Sequence, residues 1–308
     1  MTIAFVFPGQ GSQSVGMLAE LAEKFPIIEE TFAEASSALG YDLWQLVQNG
    51  PAEALNATDK TQPAMLASGV AVWRLWQAEG GEQPAVMAGH SLGEYTALVC
   101  AGAISFAEAI KLVEARGQFM QSAVAAGEGG MAAILGLEDD AVVALCDACA
   151  EGEVLEAVNY NTPGQVVIAG SAGAVNRAVE RAGDAGAKKA VSLPVSVPSH
   201  CALMKPAAEQ LKAKLAEVDI QTPSIPVIHN VDVVKLTNSD DIKDALVRQL
   251  YQPVQWVKTI NTMLEEGVDQ VIECGPGKVL AGLNKRIARR TPALPVLDIA
   301  SLDKALAK

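Results

Sequence analysis

Short apolar runs alternate along this chain with longer segments in which apolar positions recur every three or four residues. That alternation predicts a mainly parallel sheet covered by helices. Ile3–Phe7, Ala85–Ala88, Val227–Val231 and Val268–Glu273 read as strands, and Ala64–Gln77 and Phe106–Ala123 as helices. The texture changes between residues 124 and 192. After the glycine cluster Gly127–Gly130 come the strands Met131–Leu135, Val154–Tyr160, Gln165–Ala169 and Lys189–Leu193, with helices at Asp139–Ala150 and Ala174–Ala185. Strand-helix-strand-strand-helix-strand is the ferredoxin-like order. The expected fold class is therefore α/β: a large α/β-hydrolase-like domain with a mainly parallel sheet (1–123 and 193–308) and an inserted small ferredoxin-like domain (124–192). The charge-free stretch Tyr95–Ala107 has 13 residues, short of the roughly 20 needed to span a bilayer, and reads as buried core.

Half of the 308 residues are hydrophobic and 19% are charged, which suits a folded domain with a sizeable core. A formal net charge of −13 disfavours nucleic acid and anionic membrane surfaces as partners. Ile3–Phe7 is preceded only by Met-Thr and runs into Pro8-Gly9, which is not a secretory signal. Five scattered cysteines suit a reducing cytoplasm, the expected location. Cys146 and Cys149 have CxxC spacing but lie inside a helical pattern, with no second pair and no histidine nearby. Core packing accounts for them better than metal or redox chemistry. Neither a metal nor a cofactor is expected. In the loop after Phe7, the glycines give GxGxxxxG, and Met17 stands where a phosphate-binding loop has lysine, so a nucleotide site fits poorly.

Gly89-His90-Ser91-Leu92-Gly93 satisfies GxSxG between a predicted strand and an apolar helical segment, the context of a nucleophile elbow. A glycine-rich turn with a serine N-cap would look the same. If Ser91 is a nucleophile, an oxyanion hole can be built from the Leu92 N–H and one from the loop Phe7–Gln13 around Gln10. Three histidines are available as base. His90 is adjacent to Ser91 on a tight turn, and His229 falls in the apolar strand Ile225–Val231. His200 lies in the proline-punctuated loop Val197-Pro198-Ser199-His200-Cys201 and is the leading base, with helix capping as its alternative. Arg116 interrupts the apolar arc formed by Phe106, Ala109, Ile110, Leu112, Val113, Phe119 and Met120. A buried guanidinium needs a partner, either a protein carboxylate or a substrate carboxylate.

Phe7-Pro8-Gly9-Gln10-Gly11-Ser12-Gln13, Gly89-His90-Ser91-Leu92-Gly93-Glu94, Arg116-Gly117-Gln118, Pro198-Ser199-His200, the segment Gln249–Trp256 and Gly275-Pro276-Gly277-Lys278 together resemble the malonyl-CoA:acyl carrier protein transacylases of bacterial type II fatty acid synthesis. The resemblance covers essentially the full length. It implies ping-pong transfer: Ser91, activated by His200, takes the malonyl group from malonyl-CoA and passes it to the phosphopantetheine thiol of acyl carrier protein. It further assigns the Gln10 and Leu92 amides to the oxyanion hole, Arg116 to the malonyl carboxylate and the Gln249 carbonyl to holding His200. It also implies that the small domain closes over the site and helps to receive the carrier protein. From the residues alone, one of the Asp or Glu residues after His200 would be expected to complete a triad.

Acyl carrier proteins are acidic, so a chain of net charge −13 needs basic residues gathered where one docks. Lys188 and Lys189, and Lys285 and Arg286 with Arg289 and Arg290 one helical turn on, are the candidate clusters, against an ordinary solvated surface. Two rivals remain: a serine hydrolase, which would share the nucleophile and base but not need Arg116, and a non-catalytic adaptor for carrier proteins.

Overall fold

The first strand, β1 (Ile3–Phe7), is buried along its whole length, as a parallel strand between two helical layers must be. Its side chains divide by the two-residue period of a strand. Ile3, Phe5 and Phe7 enter one core, where Phe5 meets Trp73 and Trp76 edge-on at 5.3 and 5.2 Å; Ala4 and Val6 enter the other, with Trp256 and Ile260. The computed structural model, which describes residues 1–195 and 197–307, builds two sheets around this strand and its successors.

β2 (Val86–Gly89), β7 (Val227–Ile228), β8 (Gln270–Cys274) and β9 (Ala293–Val296) join β1 in a parallel sheet of order β7-β2-β1-β8-β9. β1 pairs with β2 on one side and β8 on the other, and Phe7 stands opposite Gly89. The loops leaving β1 and β2 therefore emerge together at the carboxyl ends of the strands, where open α/β sheets bind ligands. The second sheet consists of β3 (Gly129–Leu135), β4 (Leu155–Thr162), β5 (Gln165–Ser171) and β6 (Lys189–Ser192), antiparallel in the order β4-β5-β3-β6. Helices Asp139–Ala150 and Ala172–Arg181 cover one face through Ile134, Leu145, Val166, Ile168 and Ala178. On the other face Met131, Val158, Val167 and Ala169 pack on Cys201. β4 is tied to the chain preceding helix Trp256–Glu265 by Tyr160 N–H to Val254 O (3.0 Å) and Val254 N–H to Val158 O (2.8 Å).

The elements differ from the sequence reading in three places that bear on function. The strand expected over Val227–Val231 stops at Ile228, because His229 and Asn230 leave the sheet to satisfy a buried carboxylate and the chain turns back at Val233, whose φ is 56°. The helix expected from Ala64 begins at Thr58 and contains Pro63; the ring removes one N–H from the ladder, and burial of Pro63 through Trp73 compensates. Helix Val279–Ile287 ends before Arg289, as Ala288 leaves helical dihedrals (φ −132°, ψ 74°) ahead of Pro292. Lys285 and Arg289, and likewise Arg286 and Arg290, therefore do not share a helical face. Cys146 and Cys149 are buried in the core under the antiparallel sheet, and burial pushes the Cys146 thiol up to about 12. Among the described residues no helix is long and apolar enough to cross a membrane, and no group of three or more His, Cys, Asp or Glu could hold a metal ion.

Candidate active site

The turn from β2 into helix Gly93–Cys100 is possible because both flanking residues of the motif lack a side chain. A Cβ on Gly89 would come within 1.8 Å of Gly93 C, and one on Gly93 within 2.0 Å of Phe7 O. Between them Ser91 takes a positive φ of 51°, a strained conformation for a residue with a Cβ. The loop after β1 crosses the same turn: a Cβ on Gly9 would lie 2.5 Å from His90 O. Gln10 and Leu92 are thereby brought to one pocket, and no hydrogen bond among the described residues occupies either backbone N–H.

His200 reaches this elbow from the loop before helix Lys205–Leu215, with Nε2 2.8 Å from Ser91 Oγ. Its other ring nitrogen donates to the main-chain carbonyl of Gln249 at 2.6 Å. That hydrogen bond leaves the Nε2 lone pair facing the serine hydroxyl. The triad carboxylate expected from the residues alone is thus replaced by a backbone carbonyl. The reason is local: Gln249 ends helix Ser239–Gln249, whose last carbonyls have no partner within the helix. Gln249 O takes the imidazole N–H, and Leu250 O takes the backbone N–H of His200 at 2.9 Å. The negative end of the helix dipole then faces the imidazole, which favours a positive charge on the ring. Burial, then the Arg116 charge, then His90 lower the His200 pKa to about 3, against the opposing Gln249 hydrogen bond.

Arg116 is 1% exposed, at the position where the sequence pattern set it, inside the apolar face of helix Phe106–Ala123. Among the described residues it has no carboxylate within salt-bridge distance. It donates from Nη1 to Gln62 Oε1 (2.9 Å) and from Nη2 to Gln249 Oε1 (3.0 Å), and its Nε has no hydrogen-bond partner among the described residues. The guanidinium lines the pocket that holds Ser91 and His200, a cavity of about 120 Å³ roofed by Met131 and Asn159 of the antiparallel sheet.

The other two histidines do different work. His90 points away from its neighbour Ser91: Nε2 bonds Asn161 Oδ1 at 2.8 Å and the ring packs on Trp256. His229, placed beyond β7, meets Glu94 through Nδ1 at 2.7 Å. Lys188, Lys189, Lys285 and Arg286 are all exposed. Lys189 pairs with Leu135 and Leu135 with Gln165, whose side chain accepts from Arg286 at 2.9 Å, so Lys189 and Arg286 lie toward the same end of the antiparallel sheet, on either side of β3.

Sequence reasoning missed Glu94, Gln62, Asn161 and Asn230, and the side chain of Gln249. Glu94 had one legible signal, a charge at the head of the apolar run that begins at Tyr95. Asn230 had none, since its role depends on contacts with Ser91 and Gly89 about 140 residues away.

The family described as acyl transferase domain matches residues 4–301. The malonyl CoA-acyl carrier protein transacylase of Salmonella typhimurium is 60% identical over 98% of this chain and 98% of its own, and that of Bacillus subtilis is 47% identical over 99% and 96%. An acyl carrier protein S-malonyltransferase crystal structure from Vibrio cholerae superposes with a TM-score of 0.96 at 61% identity, covering 99% of each chain. A malonyl-transacylase solved in complex with its type II PKS acyl-carrier protein gives 0.98 at 56% identity, again over 99% of each. With a serine elbow, its histidine and a buried arginine in one pocket, and with these relatives matching from end to end, the chain belongs to the acyl transferase family, among its malonyl CoA-acyl carrier protein transacylases.

Proposed function

We propose that this protein moves a malonyl group from malonyl-CoA to the phosphopantetheine thiol of acyl carrier protein through an ester on Ser91, supplying fatty acid synthesis. His200 Nε2 accepts the Ser91 hydroxyl proton as Oγ attacks the thioester carbonyl. Negative charge on the carbonyl oxygen meets the N–H groups of Gln10 and Leu92. Collapse expels the CoA thiolate, which takes the proton from His200 and leaves malonyl-Ser91. The carrier thiol then gives its proton to His200 and attacks the ester, and Ser91 regains a proton as it departs. Arg116 pairs with the far carboxylate in both halves.

The observation that carries this reading is Arg116: a guanidinium buried in the same pocket as the Ser91–His200 pair, hydrogen-bonded to two amide oxygens, stacked near the Tyr95 ring, and with no carboxylate within salt-bridge distance among the described residues. A buried cation with no anion directly on its fork is costly, and a malonyl carboxylate would fill that place. A simple esterase has no use for it. Residues 124–192 act, in this reading, as a ferredoxin-like domain that closes over the acyl group. Lys188, Lys189, Lys285 and Arg286 form the patch that receives the acidic carrier. A cytoplasmic setting fits the five free, buried thiols.

Brief exposure to malonyl-CoA without acceptor, followed by intact mass and peptide mapping, should show one malonyl group on Ser91. Added acyl carrier protein should then discharge it to malonyl carrier protein, whereas release as free malonate would mark a hydrolase. Failure to trap any acyl-enzyme would revive a non-catalytic adaptor.

A further inference from the structure

Glu94 directly follows the GxSxG glycine, is 1% exposed, and hydrogen-bonds neither the Ser91 hydroxyl nor the His200 imidazole. Its Oε1 accepts from His229 Nδ1 (2.7 Å); its Oε2 accepts from Asn230 N–H (2.9 Å) and Gln249 Nε2 (2.9 Å). Through these partners it reaches the whole site at one remove. The Asn230 side chain clamps the elbow, donating to Gly89 O at 2.6 Å and accepting Ser91 N–H at 2.7 Å. Gln249 Nε2 is held by Glu94 and by Ser91 O (3.0 Å), so its remaining amide atom, the oxygen, is turned to Arg116.

A buried arginine faces two conflicting demands. Without a counter-charge it is strongly destabilising, yet a carboxylate placed directly on its fork would occupy the donors that a substrate needs. One amide side chain between Arg116 and Glu94 satisfies both. We propose that Glu94 is a positioning and charge-balancing residue for acyl selection: its carboxylate, held one amide away from Arg116, offsets the guanidinium while leaving the fork open to the carboxylate of the acyl donor. The inference rests on Arg116 being the malonyl partner. It has a kinetic consequence. Glu94 keeps the grip on the malonyl group moderate, as turnover requires, and limits how strongly Arg116 opposes a positive charge on His200.

Glu94→Gln tests this with little change of shape. Its oxygen can still accept from Asn230 and Gln249, and its NH2 meets His229 Nδ1, which accepts in the other tautomer. In single-turnover acylation the variant should bind malonyl-CoA roughly fivefold more tightly, yet acylate Ser91 roughly tenfold more slowly, because the unbalanced guanidinium attracts the donor carboxylate and disfavours the imidazolium. Acetyl-CoA should show the slower acylation without the tighter binding. A purely structural role would weaken both donors alike, and unchanged or weaker malonyl affinity overturns the proposal.

If Glu94→Gln folds poorly, the double variant Glu94→Gln/Arg116→Gln decides. Charge balance requires it to melt higher than Glu94→Gln alone, and a melting point that falls further overturns the proposal. Arg116→Gln by itself separates the role of Arg116 from that of Glu94. Should it leave the preference for malonyl over acetyl unchanged, the functional reading of Arg116 fails. If it shifts that preference while Glu94→Gln leaves malonyl affinity untouched, only the role of Glu94 falls.

Discussion

The crevice at the ends of the parallel sheet and the antiparallel sheet above it line the same pocket by opposite means. On the parallel side every chemical group is fixed by hydrogen bonds running between elements far apart in sequence: Ser91 to His200, His200 to Gln249, Gln249 to Glu94 and Arg116. On the antiparallel side the lining is largely apolar: Met131, Leu193 and Val195, with Asn159 as the polar exception. The hydrogen-bonded polar groups of the pocket thus belong to one sheet and much of its apolar wall to the other. The first depends on a polar network in which each member must be satisfied, the second on surface that only has to exclude water. Substitutions on the two sides should therefore fail differently.

The largest effect is expected at the centre of the parallel side. Ser91→Ala should abolish acyl-enzyme formation in the intact-mass assay, and a retained malonyl adduct elsewhere on the chain would break the assignment. His200→Ala should slow acylation by roughly a hundredfold to ten-thousandfold, the range of a positioned general base. A larger loss in His90→Ala, at equal stability, would mean that the wrong histidine has been chosen.

The burial of His200 also has a consequence for pH dependence. With its value in the folded chain near 3 against an ordinary 6.5, the unfolded chain binds more protons between those values. Stability should fall as pH drops through that window, and His200→Ala should remove that part of the fall in thermal melts. Acylation by malonyl-CoA should show no acid limb near 6.5; a limb there would mean that His200 is far better solvated than its burial implies.

Arg116→Ala should cost malonyl transfer roughly thirtyfold or more, as loss of one partner of a buried charge pair does. Acetyl-CoA should be affected less, so their ratio moves toward acetyl. Equal losses for both donors would reassign Arg116 to structure.

The smallest effect is expected where the antiparallel sheet meets helix Val279–Ile287. Reversing Lys189 and Arg286 to glutamate should raise the KM for acyl carrier protein about threefold to tenfold and flatten its salt dependence. Acylation of Ser91 by malonyl-CoA should stay within about threefold of the parent rate, less than the tenfold that corresponds to 1.4 kcal/mol. Normal handling of the carrier at low salt would put docking elsewhere.

Local pattern alone determined a good part of this molecule. β1 follows from a short continuous apolar run, as a strand buried on both faces requires, helix Phe106–Ala123 from the 3.6-residue period, and the order of the ferredoxin-like elements from the alternation of such runs with helical segments. GxSxG identified the elbow because close backbone approach at Gly89 and Gly93 excludes any Cβ, a constraint written in adjacent residues. Arg116 stood out because a charge on an apolar arc is anomalous within its own helix. What only the tertiary structure decided is who meets whom. The orphan carbonyl at the end of helix Ser239–Gln249, in place of an acidic side chain, orients His200, and a backbone atom leaves no trace in residue identity. Glu94, Asn230 and Gln249 acquire their roles from contacts spanning more than 130 residues, which no local period encodes. The end of β7 was set the same way, by the demand of one buried carboxylate for donors that His229 and Asn230 could supply only by leaving the sheet.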